Sequence, residues 1–123
     1  MKDIFKIDFD FLGHPIQIFI KVYNNEKEVS DFLGNQFAGG GMFYCKGGER
    51  HTYIIFNENN YKDVYIYVHE FLHATKFYLS QFGMSDEELE CYFLGYLTDT
   101  YVTFLETYKQ DIKNIMAEDD ITE

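Results

Sequence analysis

The segment YKDVYIYVHEFLHATKFYLSQF, residues 61–82, predicts a long helix around which the rest of the chain is arranged. Its apolar residues fall on nearly every side of a helix, which is typical of a helix buried at the centre of a domain. Gly83 follows directly, and glycine is common just beyond a helix end because it adopts the left-handed backbone conformation without strain. We therefore expect a central helix from about Tyr61 to Phe82.

The start of the chain predicts a β-hairpin. Residues 4–11 and 16–23 alternate between apolar and polar side chains with a period of two, as strands do. Gly13-His14-Pro15 lies between the two runs and predicts a turn, with His14 as a turn residue.

The chain between this hairpin and the central helix predicts a short helix, a loop and a second hairpin. Residues 26–34 carry apolar side chains at helical spacing and end in a glycine, which predicts a short amphipathic helix. Residues 37–41 contain three consecutive glycines and predict a loop. Residues 42–45 and 52–57 predict two more strands, joined by a glycine-containing turn.

A second long helix is expected after the central one. Ser85 predicts its N-cap, and the apolar residues that follow keep helical spacing as far as Leu105. Residues 117–123 form an acidic tail that we expect to fray. The order of elements predicts a single α+β domain over residues 1–123. In it, a small antiparallel or mixed sheet of two hairpins packs on the central helix and on the long C-terminal helix.

The composition fits one compact domain with a substantial core. The 123 residues are 46% apolar and 20% aromatic. The formal net charge is −11 and the ten Lys and Arg residues are scattered along the chain. Nucleic acid is therefore not an expected partner, because phosphate binding needs a basic surface. An acidic surface favours basic partners, although solubility is a simpler reason for it. The sequence does not predict an oligomeric state.

The localisation follows from the absence of targeting signals. The first residues carry charges where a secretory signal has its apolar core, and no apolar stretch approaches the roughly 20 residues that span a membrane. We expect a soluble, cytoplasmic protein without a membrane partner. Cys45 and Cys91 form no C-x-x-C pair and are expected to be free thiols in that compartment. We expect Cys91 to be a small core residue.

The sequence His69-Glu70-Phe71-Leu72-His73, within the predicted central helix, has the spacing of a metal site. Residues four apart lie one turn apart on the same helical face, so both imidazoles can bind one metal ion with Glu70 beside it. Alternatively, both histidines are core residues that hydrogen-bond to some of the eleven tyrosines. A chance match should fall more often in a loop or on a solvated face, so an apolar helix favours metal binding.

This H-E-x-x-H motif resembles the active site of the zincin metallopeptidases. The predicted order of elements and residues 88–96, ELECYFLGY, look like compact gluzincins from bacteria and phages, and the resemblance covers roughly residues 50–100. It implies a minimal zincin-like fold that binds Zn²⁺. The implied site consists of a general base, Glu70, and three zinc ligands, His69, His73 and Glu88. The chain departs from the family pattern at Cys91, where a small alanine is usual, and at Tyr92, where a polar residue is common.

These departures leave the third ligand open. Glu88 would also complete a capping box with Ser85, in which its carboxylate bonds to the backbone at the helix start. In a tight antiparallel helix pair Asp99 lies nearer than Glu88 to the level of His73, so Asp99 is an alternative ligand or hydrogen-bond acceptor for a ligand. Two further carboxylates remain candidates, Glu87 and Glu90.

The resemblance implies that the chain hydrolyses a peptide bond in a protein or peptide substrate with metal-activated water. A zincin substrate pairs as an extra strand with a sheet edge, for which residues 42–45 are the expected strand. Four side chains are candidate donors to the oxyanion, Tyr92, Tyr96, Tyr101 and His51. The alternative is a zincin-like protein-binding module, encoded by a phage or mobile element, with little or no turnover, because 123 residues leave little room for a specific cleft. An intact Glu70 favours the peptidase.

Overall fold

The computed structural model describes residues 1–34, 41–45 and 52–108 and shows an α+β fold. The described residues form four strands and three helices, in the order β1 (Lys2–Phe11), β2 (His14–Tyr23), α1 (Glu26–Leu33), β3 (Gly41–Cys45), β4 (Thr52–Asn57), α2 (Val64–Gln81) and α3 (Glu87–Thr107). The predicted fold class is confirmed. The predicted frayed tail at 117–123 and most of the predicted loop at 37–41 lie outside the described residues.

The four strands form one mixed sheet in the order β1-β2-β4-β3. Each predicted hairpin is antiparallel, and a parallel pairing of β2 with β4, which sets Ile20 opposite Ile54, joins the two hairpins. β1 and β3 are therefore the edge strands of this sheet. The inner strands carry a set of buried aliphatic residues, Ile16, Ile18, Ile20, Val22, Ile54 and Ile55, as expected for strands covered on both faces.

The turn of the first hairpin lies earlier than predicted. Leu12 and Gly13 form it, with φ values of 51° and 86°, whereas His14 and Pro15 already belong to β2. A two-residue turn with positive φ at both positions matches the twist of the flanking strands, and this preference outweighs the tendency of proline to mark a turn. The prediction of His14 as a turn residue is wrong: its ring stacks on that of Phe82, with 4.0 Å between centroids.

Helices cover both faces of the sheet. On one face α2 lies against β3 and α3 lies against β1, where the rings of Phe9 and Phe93 are 5.5 Å apart between centroids. On the other face, Val29 of α1 is buried against Tyr23 and Ile55. The sheet is thus the middle of three layers, and its larger core lies beneath α2 and α3.

Capping side chains set the helix starts, and they differ from the predicted ones. α2 begins after Asp63, whose side chain accepts a 3.0 Å hydrogen bond from the backbone N–H of Tyr65. α3 begins after Asp86 rather than Ser85, and Asp86 Oδ1 accepts a 2.8 Å bond from the backbone N–H of Glu88. An aspartate carboxylate satisfies these amides and also interacts favourably with the positive end of the helix dipole, which a serine hydroxyl does only weakly.

Cys45 and Cys91 are not joined by a disulfide, as predicted. The prediction of Cys91 as a core residue is wrong, because its side chain is exposed. The buried face of α3 carries Phe93, Leu97 and Tyr101, and the helical period turns Cys91 away from it. Among the described residues, no helix combines the length and the apolar character that a membrane crossing requires.

Gly41 belongs to β3 and not to the predicted loop. A Cβ atom at this position would lie 3.0 Å from Cγ2 of Ile66 and 3.1 Å from Cδ1 of Phe56. Ordinary contacts between carbon atoms are about 3.5–4.0 Å long. Only glycine therefore lets the start of β3 pack this closely on α2.

Tyr101 lies at the centre of the aromatic core. Its side chain is fully buried, and its ring centroid is 5.4 Å from that of Phe71 and 6.0 Å from that of Phe56. Its hydroxyl donates a 2.7 Å hydrogen bond to the backbone C=O of Tyr61. Burial raises the pKa of the Tyr101 phenol far above its ordinary value, so this hydroxyl remains protonated and a donor at pH values at which an exposed tyrosine has ionised.

Replacing Tyr101 by Phe should lower the free energy of unfolding by about 1–2 kcal/mol, because the buried carbonyl of Tyr61 loses its donor. The matched control is Tyr92→Phe, at a side chain that is 67% exposed, and it should change stability by less than about 0.5 kcal/mol. Urea unfolding followed by circular dichroism measures both. Equal losses in the two variants would show that the Tyr101 hydrogen bond contributes nothing.

The raised pKa of Tyr101 also predicts how the stabilities of the wild type and the Tyr101→Phe variant depend on pH. The folded pKa of Tyr101 lies above the unfolded value of about 10, so the stability linked to this proton is complete below pH 10 and is lost as the pH rises further. The Tyr101→Phe protein should accordingly lose less stability between about pH 9 and 11 than the wild type does.

Gly41→Ala should destabilise the protein by about 1–3 kcal/mol, because the added methyl group overlaps Ile66 and Phe56. Gly95→Ala is the matched control, since a Cβ there meets no atom within 4 Å. That exposed helix position should be neutral or gain up to about 1 kcal/mol from the better helix propensity of alanine. Thermal melting compares the two, and a stable Gly41→Ala protein would contradict the close packing.

Candidate metal centre

The two histidines of the motif converge on one point at the surface of α2. His69 and His73 are both exposed, and their Nε2 atoms are 3.3 Å apart. The ring planes are inclined at 81°, with 4.8 Å between centroids. The alternative in which both residues are buried in the core is therefore wrong.

This geometry fits a zinc ion. Each Zn–N bond is about 2.0–2.1 Å long, and two nitrogens at a tetrahedral angle around one ion are therefore about 3.3 Å apart. The observed Nε2 separation of 3.3 Å has that value. Both nitrogens also face solvent, which leaves space for further ligands and for water.

Glu70 lies beside the pair but on the buried side of α2. Its side chain is 6% exposed, and its Cγ atom would lie 3.4 Å from a Cβ at Gly41. Burial raises the pKa of the Glu70 carboxyl, while His69, His73 and a backbone hydrogen bond from Phe43 lower it to a smaller extent. The sheet edge thus gives this carboxyl a dry setting and a fixed donor, which suits a general base better than a solvated surface does.

Contacts between α2 and α3 show which residues of α3 lie opposite the histidines. Lys76 Nζ lies 3.0 Å from Glu90 Oε1, and each of these residues is seven positions from Gly83. The buried rings give a different register, because Tyr78 packs on Phe93 with 5.9 Å between centroids and Phe71 packs on Tyr101 at 5.4 Å. His73 is therefore level with the part of α3 between Phe93 and Tyr101. Asp99 belongs to that part, but it lines the groove beside β1.

The described residues do not bring a third ligand to the histidines. Glu88 is exposed in the first turn of α3, and the capping box proposed for it is wrong because Asp86 is the N-cap. Glu90 pairs with Lys76, and Asp99 lines a groove beside β1. No group of three His, Cys, Asp or Glu side chains arranged to hold a metal occurs in the described ranges. Glu88 as third ligand stays a prediction.

The candidate oxyanion donors lie away from the histidine pair where the structure describes them. Tyr101 is buried and its hydroxyl is bonded to Tyr61. Tyr92 and Tyr96 line the groove between β1 and α3. His51 lies outside the described residues.

The sequence did not predict that the backbone of β3 borders the site. The hydrogen bond from Phe43 to Glu70 depends on a strand that comes unusually close to the helix. A glycine directly before a predicted strand is a signal of such close approach, and Gly41 is the last of the three consecutive glycines.

Comparison with known proteins found no match to a family model, to a curated protein or to a solved structure. The resemblance to the zincins therefore rests on the sequence alone and stays a prediction.

We predict about one zinc ion per chain. A double His69→Ala, His73→Ala variant removes both nitrogen ligands and should retain less than about a tenth of the wild-type zinc. His14→Ala is the matched control, since His14 is also exposed but lies in β2, and it should keep the full content. Elemental analysis of untagged protein measures all three, and equal zinc in the double variant and the wild type would contradict the site.

Proposed function

We propose that this protein is a zinc-dependent peptidase that hydrolyses a peptide bond in a protein or peptide substrate. The observation that carries the proposal is the convergence of His69 and His73 Nε2 at 3.3 Å, with the buried Glu70 carboxyl near enough to interact electrostatically with both imidazoles. This is the donor set of a zinc site in which two imidazoles hold the metal and a carboxylate handles protons. Glu88 is the third ligand that the zincin resemblance assigns.

The histidines, Glu70 and Phe43 have separate roles in the proposed reaction. A zinc ion bound to the histidines supplies Lewis acidity that lets water act as a nucleophile near neutral pH. Glu70 takes the proton of the attacking water and then delivers it to the nitrogen of the leaving amine as the C–N bond breaks. The backbone N–H of Phe43 orients the Glu70 carboxyl during both transfers.

The position of β3 supports an extended peptide as the substrate. Within the described sheet β3 is an edge strand whose neighbour is β4, and it carries the residue that contacts Glu70. A peptide added along this edge has its backbone held by main-chain hydrogen bonds close to the general base. The proposed substrate is therefore a segment without fixed structure of its own.

A second function is supported by one observation, the absence of a third ligand beside the histidines among the described residues. A metal with two protein ligands is held less tightly than the three-ligand metal of a catalytic zinc site. The alternative is a zincin-like protein-binding module, of phage or mobile-element origin, with little or no turnover.

Glu70→Gln should retain zinc and fold but slow hydrolysis at least about a hundredfold, because the amide keeps the shape of the side chain and cannot accept the proton. Glu106→Gln, at an exposed site on α3, is the matched control and should cleave like the wild type. Cleavage of a peptide library followed by mass spectrometry gives the rates.

The outcomes separate the two functions. A Glu70→Gln protein that cleaves as fast as the wild type would exclude Glu70 as the base. A wild-type protein that binds zinc but cleaves none of the library supports the binding module instead.

A further inference from the structure

A groove lies between β1 and α3, at the sheet edge opposite to the one beside Glu70. Its volume is about 570 Å³. The residues that matter for its chemistry are Phe9, Asp10, Phe11, Tyr92, Tyr96 and Asp99. Nothing in the proposed peptidase reaction uses any of them.

The wall of the groove that α3 supplies is aromatic and open to solvent. Tyr92 is 67% exposed and Tyr96 is 46% exposed. The ring of Tyr96 packs on that of Phe9, with 4.4 Å between centroids, which holds it in place. An exposed tyrosine held against a neighbouring ring is typical of binding surfaces, because it offers a large contact area at a low entropy cost.

The wall that β1 supplies has free backbone groups. Phe11 and His14 close a two-residue turn, so their backbone groups bond to each other. Bonded pairs alternate along an antiparallel ladder, which leaves Asp10 opposite Pro15, a residue without an N–H. Asp10, and Asp8 two residues before it, therefore direct their N–H and C=O groups outward. β1 has no neighbour on that side within the described sheet.

Carboxylates flank the groove, and that of Asp10 lies on the face of β1 opposite to Phe9 and Phe11. Asp10 and Asp99 border it, and neither forms an ion pair with a described lysine or arginine side chain. The chain as a whole has a formal charge of −11. A positively charged segment is therefore attracted to this edge, and a second copy of the acidic chain is repelled from it.

We propose that the groove binds an extended, basic segment of a partner protein, which adds to the sheet as a fifth strand beside β1. Its backbone bonds to the outward groups of Asp8 and Asp10, as in other cases of strand addition. Because side chains of a strand alternate between its faces, apolar residues of the segment contact Tyr92 and Tyr96. The residues between them are Lys or Arg, which face the carboxylate of Asp10; Asp8, on the same face of β1, already pairs with Lys6 at 3.3 Å.

A fluorescein-labelled octapeptide of alternating Lys and Val tests the side-chain part, with fluorescence anisotropy as the readout. Saturable binding to the wild type is expected, and Tyr92→Ala and Tyr96→Ala should each raise the Kd about tenfold. The control Tyr65→Ala, at a residue 79% exposed on α2, should leave the Kd unchanged. Asp10→Asn should raise the Kd about two- to fivefold, whereas Asp31→Asn, exposed on α1, should not. Absence of saturable binding, or equal effects of test and control variants, would overturn the proposal.

Backbone methylation of the peptide tests strand addition. One peptide carries N-methyl groups on its Lys residues and another carries them on its Val residues. In a paired strand the N–H groups of only one set point at β1, so one peptide should lose binding and the other should keep it. Equal binding of the two would overturn the edge pairing. Sedimentation of the protein alone reports self-association, and a dimer that dissociates when Tyr96 is changed would assign the groove to a second copy instead.

Discussion

The close approach of β3 to α2 at Gly41 is the constraint on which the rest of the site depends. An apolar helix could pack on the sheet in several orientations, but the close contact of Gly41 with the side chains of Ile66 and Glu70 restricts this choice. In the observed orientation Glu70 lies beneath the strand while His69 and His73 point away from it into solvent. The same contact therefore buries the Glu70 carboxyl and leaves the imidazoles of His69 and His73 exposed to solvent.

The helices and strands could be predicted because each follows from a pattern of residues that are close together in the sequence. Periods of two and 3.6 residues located the strands and helices, and glycine marked most of their ends. The exceptions arose from competition between two local signals, as with Asp86 and Ser85 at the start of α3 or with the turn at Leu12. No local sequence pattern indicates the parallel pairing of β2 with β4, since this pairing depends on residues far apart in the chain. Cys91 was misplaced because an apolar helix pattern does not reveal which side faces the sheet.

The part of the site that lies within α2 could be predicted, whereas the part that depends on other elements could not. The positions of His69, Glu70 and His73 relative to one another follow from the helix alone, so the spacing was sufficient. A third ligand must come from another element, and its level depends on the register between α2 and α3. The contacts of Phe71 with Tyr101 and of Tyr78 with Phe93 show that register only once both helices are in place.

The parallel pairing between the hairpins has a consequence for the order of folding. Each hairpin closes a short loop, whereas Ile20 and Ile54 are 34 residues apart, and contacts between distant residues form more slowly than local ones. We therefore expect the hairpins and α2 to form first and the complete sheet to form last. The histidine pair needs only the helix, but the dry setting of Glu70 needs β3 held in the finished sheet. Under the proposed function, a chain that is still folding would hold metal before its base is in place, and hydrolysis would begin only when folding is complete.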